Sequence, residues 1–127
     1  MSANTDWHWT FRAVPLRIVD GDTLRCLIDL GFWLRNTVQL RLIGIDTPEP
    51  RGASRDAGLA ATQFTSEWLQ VAMQTAPDFD WPLVISTAKA DSFNRWLVRA
   101  VRTSDLRCLN DDLVSAGHAV PWTGRNA

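Results

Sequence analysis

The chain has 127 residues, enough for one domain that buries roughly two-thirds of its unfolded surface and folds without metal or disulfide staples. With 46% hydrophobic and 21% charged residues, it falls outside the disordered, collagen-like and charged-tail classes. Its 13 Lys and Arg against 14 Asp and Glu leave a net charge of −1, which excludes a protein that coats nucleic acid by bulk positive charge.

The alternation Trp7, Trp9, Phe11 predicts a first strand with one apolar face. Pro15 to Val19 leads into Asp20-Gly21-Asp22, a turn by composition, and the apolar run Leu24 to Leu30 reads as a second strand. Gly31 and Asn36 bracket the next reversal. From Thr37 onward Val38, Leu40 and Leu42 share one face while Gln39 and Arg41 share the other, so Arg41 is expected to point away from the core. That strand ends at Gly44-Ile45-Asp46-Thr47-Pro48-Glu49, where Pro48 stops ladder pairing and two carboxylates arrive on a loop.

A helix is predicted over Ala57 to Ala72, with Ala57, Ala60, Ala61, Phe64, Trp68, Val71 and Ala72 as its apolar stripe opposite Gln63, Ser66, Glu67 and Gln70. Leu83 to Thr87 and Arg95 to Val101 read as a hairpin joined across Asp91-Ser92-Phe93-Asn94. Asn110 is the expected N-cap of a short second helix, with Asp111 and Asp112 in its first turn, Leu109 and Val114 as a staple and Gly117 as its stop. Strands that lead, with one long and one short helix, indicate a mainly β, α+β single domain over residues 1–127 built on a small antiparallel barrel. Strand spacing does not say which barrel.

Cys26 and Cys108 form no Cys-x-x-Cys pair and are expected as small buried hydrophobes rather than a zinc site or disulfide. His8 and His118 are too few to suggest a Ser-His-Asp arrangement. No run approaches the ~20 apolar residues of a membrane span, and Met1 to Arg12 lacks the apolar core of a signal peptide. The expectation is a cytoplasmic protein with no membrane partner, with export left open and a monomer as the default.

Every cation except Lys89 is Arg, the planar donor suited to phosphate. Singly, Asp20-Gly21-Asp22-Thr23, Asp46-Thr47-Pro48-Glu49, Arg41 and Arg95 read as ordinary turns and surface charges. Together they offer more. Two strand-end loops each present Asp beside Gly or Pro, a pattern that gathers hard oxygen ligands around Ca²⁺ or Mg²⁺ rather than zinc. Glu49 adds a carboxylate able to deprotonate water, and Arg41 and Arg95 add donors for a phosphate that gains charge in the transition state. The set is that of a phosphodiester hydrolysis site.

The segments Val19-Asp20-Gly21-Asp22-Thr23, Arg41-Leu42-Ile43-Gly44-Ile45-Asp46-Thr47-Pro48-Glu49, Asp91-Ser92-Phe93-Asn94-Arg95 and Leu109-Asn110 through Gly117-His118-Ala119 resemble, in content and order, the staphylococcal-nuclease-like (thermonuclease) family. The resemblance implies a five-stranded OB-fold barrel with two or three packed helices, and a Ca²⁺-dependent nuclease that cleaves DNA and RNA to leave 3′-phosphates. It implies that Asp22 and Asp46 ligate calcium through their carboxylates and Thr47 through its backbone carbonyl. Glu49 is then the general base, and Arg41 and Arg95 grip the phosphate. The chain has no Tyr where the family carries aromatic hydroxyls. Phe93 and Trp122 are the candidate substrate-stacking rings in their stead. The alternative is a noncatalytic OB-fold module that binds single-stranded nucleic acid or a protein.

Overall fold

A computed structural model describes residues 9–76, 80–90 and 95–122; the expected strand start at Trp7 and the turn that carries Phe93 lie outside them. The chain begins with a long strand, β1 (Trp9–Asp20), followed by β2 (Thr23–Gly31), β3 (Leu34–Leu42) and the short β4 (Ile45–Asp46). Helix α1 (Arg55–Thr75) comes next, then β5 (Leu83–Ala90), β6 (Trp96–Arg102), α2 (Leu109–Ser115) and β7 (Val120–Pro121). β1 pairs with β5 through Trp9–Ala13 and with β2 from Arg12 onward, so one strand serves two neighbours. Its register slips between Pro15 and Arg17, where a residue without an N–H interrupts the ladder. A parallel pairing of Leu40–Leu42 with Trp96–Val98 closes the barrel in the order β1-β2-β3-β6-β5. The fold is thus α+β, mainly β: a closed five-stranded OB-like barrel with two helices. No helix among the described residues is long and apolar enough to cross a membrane.

The barrel is filled by inward residues of alternating strand positions, including Ala13, Leu24, Cys26, Leu40, Leu42, Ile85, Val98 and Ala100. Trp68, Leu69 and Ala72 of α1 and Leu109 and Leu113 of α2 extend the same core. The buried face of α1 is Gly58, Ala61, Thr65, Trp68, Leu69 and Ala72, rotated from the expected stripe. Ala57, Ala60 and Val71 face solvent because the helix approaches the barrel loops through its smallest residues. Cys26 and Cys108 are both free, and burial pushes the Cys26 thiol up to about 12.

Two other expectations are corrected. The β2–β3 reversal is tighter than Gly31 to Asn36: β3 starts at Leu34, and Phe32 and Trp33 form the turn with φ of 53° and 64°. Both aromatic residues occupy left-handed conformations there, which large side chains seldom adopt. Asn110 does not cap α2; Cys108 is the flanking residue, and no side chain caps the helix. The Asn110 side chain instead turns inward, accepting from the Ala100 N–H at 3.1 Å and donating to the carbonyls of Ile43 at 2.9 Å and Val98 at 3.0 Å. It thereby ties α2 to β6 and to the end of β3. At the other end Gly117, with φ of 83°, stops the helix as expected. Gly117 and His118 donate to the carbonyls of Val114 and Leu113, the pairing of a Schellman motif.

Because three backbone groups, two of them fully buried, depend on one amide, Asn110→Ala is expected to cost ~2–4 kcal/mol of folding stability. A urea titration reads this as a lower midpoint at unchanged slope. A midpoint close to that of the parent would contradict the clamp.

Candidate functional site

Helix α1 positions both acidic loops. Thr65 donates its hydroxyl to the Gly21 carbonyl at 2.8 Å, which holds the β1–β2 turn against the helix. A Cβ at Gly21 would lie 3.0 Å from the Ala61 Cβ and 3.2 Å from the Thr47 side chain, so a larger residue would push turn, helix and second loop apart by a few tenths of an ångström. One turn earlier, a Cβ at Gly58 would collide with the Glu49 carbonyl and Pro50. The same Glu49 carbonyl accepts the Ser54 hydroxyl at 2.8 Å. Small residues at 58, 61 and 65 therefore set where Asp22, Asp46 and Glu49 stand.

At the meeting point of the loops is Arg41. It lies on the strand face opposite Leu40 and Leu42, as expected, but it is only 7% exposed. Its Nη1 donates to the carbonyls of Leu42 at 2.7 Å and Ile45 at 3.0 Å. Its Nη2 lies 3.0 Å from Asp46 Oδ1 and 3.4 Å from Asp22 Oδ2. Asp22, 6% exposed, also accepts from the Thr47 N–H at 3.1 Å and the Thr23 hydroxyl at 3.2 Å. Arg95 reaches the same Thr23 hydroxyl with Nη1 at 3.4 Å, placing the second guanidinium next to Asp22.

The electrostatics are those of crowded carboxylates around one cation. Burial raises Asp20 to about 6, helped by its hydrogen bond to Asp22 and that group's charge. Burial also opposes the charge on Asp22, but the hydrogen bond with Asp20, the Arg41 guanidinium and the Thr47 N–H outweigh it and hold this carboxyl below the usual range. Asp46 is raised by burial and by the Asp22 charge, with Arg41 opposing and Glu49 adding to the rise. Glu49 is thus near enough for its charge to bear on Asp46, while remaining exposed itself.

Of the expected site residues, Asp22, Arg41, Asp46, Thr47 and Arg95 come together, with Glu49 on the adjoining loop. The Trp122 ring lies over the Arg41 guanidinium, 5.2 Å from it, rather than standing free, and the Trp122 backbone N–H donates to the Gly44 carbonyl at 2.9 Å. β7 pairs with β4 just before it, and this small sheet had no sequence signal beyond two residues in each strand. Asp20 was missed as a member of the cluster, although it sits in the same Asp-Gly-Asp turn. His118 was also missed: its ring packs on Phe64 at 5.1 Å, and with Asp46, Thr47, Pro48 and Val120 it lines a cleft of about 200 Å³.

Among the described residues no three Asp, Glu, His or Cys groups form a ready-made cation cage. Asp22 and Asp46 nevertheless share a single nitrogen of Arg41, at 3.4 and 3.0 Å, which brings carboxylate oxygens from two loops to one cationic group. An oxygen-only donor set of this kind fits a hard divalent ion. No family model and no curated protein matches this chain.

Proposed function

We propose that this domain is a Ca²⁺-dependent nuclease that hydrolyses phosphodiester bonds of DNA and RNA to leave 3′-phosphate ends. The observation that carries the reading is the convergence of Asp22 and Asp46, from two separate loops, on one nitrogen of Arg41, with Arg95 beside them. The resemblance of the four ordered motifs to the thermonuclease family supports the same assignment. Asp22, Asp46 and the Thr47 carbonyl would hold the calcium ion. Bound there, the ion supplies positive charge to the carboxylates and to a phosphate oxygen.

The protein's own groups do the rest. Glu49, exposed on the loop that Gly58 and Ser54 brace, accepts a proton from the attacking water. Arg41 is oriented by the backbone carbonyls on Nη1 and by the Trp122 ring, and it presents Nη2 on the carboxylate side, where a nonbridging phosphate oxygen is taken up. Arg95 donates from the Thr23 side to the same phosphate, so two planar donors match the charge that develops as the bond breaks. The cleft lined by Asp46, Pro48 and His118 gives the polymer a path past the carboxylates. Because the surface as a whole is not basic, affinity comes from few phosphate contacts and depends only weakly on salt.

Incubation of the purified chain with single-stranded and duplex DNA and with RNA tests the reading. Cleavage in calcium and none in chelator is expected. A second reading, a noncatalytic OB-fold module for single-stranded nucleic acid or a protein, is favoured by the internal engagement of Arg41 with its four partners. It predicts metal-independent oligonucleotide binding that Glu49→Gln leaves untouched.

A further inference from the structure

The end of the barrel away from the carboxylates carries both an apolar projection and an apolar hole. β2 and β3 pair Thr23 with Arg41 at one end and Gly31 with Leu34 at the other, so the hairpin tip lies about 25 Å from the acidic loops along the strands. At that tip Phe32 and Trp33 are 97% and 95% exposed. Both have positive φ, a conformation that Asn and Gly adopt far more readily than large side chains. The turn thus holds two rings in water at a backbone cost. The hole is an open cavity of about 320 Å³ at the barrel mouth, lined chiefly by Trp9, Phe11, Ile28, Leu30, Val38 and Trp96. Leu30 belongs to its wall and immediately precedes the hairpin tip, so projection and hole are continuous.

We infer that this end of the barrel is a self-association surface, and that the occupant of the hole is the Phe32-Trp33 tip of a second copy of the chain. Two features single out a second copy. Trp9, Phe32, Trp33 and Trp96 are 65%, 97%, 95% and 43% exposed, which amounts to ~600 Å² of aromatic surface at usual ring areas. Soluble monomers rarely expose more than a few hundred Å² in one patch. Doubled across a pair of chains, the patch approaches the lower bound of ~1,200 Å² for a specific interface. The net charge of −1 adds no appreciable repulsion between copies. A surface that carries both a projection and its complement closes as a two-fold dimer, each tip in the partner's mouth. The acidic loops, at the other end of the β2–β3 hairpin, are not part of this surface.

Sedimentation equilibrium of the full chain, from low to high micromolar concentration, tests the inference. The mass is expected to rise from one chain to two and stop there, because an interface near the size limit gives a weak dimer. Phe32→Ser and Trp33→Ser remove rings that touch little within their own chain, so both are expected to fold as the parent does and to remain single chains at every concentration. A photoreactive phenylalanine analogue at position 32 is expected to crosslink between copies to peptides of β1 and β5. A parent that stays monomeric throughout, a mass that climbs past two chains, a dimer that survives both substitutions, or a crosslink confined to the N-terminal residues 1–8 of the same chain would each overturn it. The outcome is independent of nuclease activity.

Discussion

Arg41→Ala is expected to separate the structural and chemical roles of one guanidinium. Arg41 is the counter-ion of the buried Asp22 and of Asp46, and removing one partner of a buried pair strands the other charge. In calcium-free solution the variant is expected to lose roughly 3 kcal/mol of stability, the lower end for buried pairs because half of the Asp46 side chain is in solvent. Calcium then stabilises the variant more than the parent, since a ligand that binds only the folded state adds stability by mass action and here also neutralises the stranded carboxylates. Turnover is not recovered. Loss of a transition-state donor still costs ~10²–10³ in rate. Arg41→Lys keeps the charge and recovers much of the stability, but a point charge does not reproduce the bidentate geometry, so its rate stays low. Urea midpoints with calcium and with chelator, alongside cleavage rates, check each step. Calcium-free stability equal to the parent's would contradict the counter-ion role.

The second large effect is expected at Glu49. Glu49→Gln preserves size and leaves the loop in place, because that loop is held by the Glu49 backbone carbonyl on Ser54 and its close approach to Gly58, and not by the carboxylate. Folding and calcium affinity are therefore expected to match the parent, while kcat falls by ~10²–10⁴, the range for loss of a general base. Calorimetric calcium titration and single-turnover cleavage read the two quantities separately. Full turnover in the variant would remove Glu49 from the chemistry.

Much of this arrangement was legible in the sequence because the relevant signals are local. The alternation from Thr37 to Leu42 placed Arg41 opposite Leu40 and Leu42, and the Asp-Gly-Asp and Asp-Thr-Pro-Glu turns placed acids at strand ends. The illegible parts depend on contacts between distant segments. Asn110 has the residue type and local sequence of a helix cap, yet Ile43, Val98 and Ala100 draw its amide inward, and no helix-local pattern encodes that. The face of α1 was misjudged by one position because apolar counting favours Ala57 and Val71, whereas close packing against Gly21 and Glu49 selects Gly58, Ala61 and Thr65. Arg41 was expected outside the core but not buried, since its cover comes from Asp22, the Ile45–Asp46 segment and Trp122, which only the fold assembles. The bracket from Gly31 to Asn36 located the reversal but not its tight form, because the left-handed conformations of Phe32 and Trp33 are rare for aromatics.

The central claim is that these acids and guanidinium groups form a calcium-dependent phosphodiesterase centre. Its most direct measurement is cleavage of an end-labelled DNA strand by the purified chain in calcium and in chelator, with the new ends tested for a terminal phosphate. The account predicts calcium-dependent cleavage that leaves 3′-phosphates and is lost in Glu49→Gln. No calcium-dependent cleavage at micromolar protein, or products that end in 3′-hydroxyls, would contradict it.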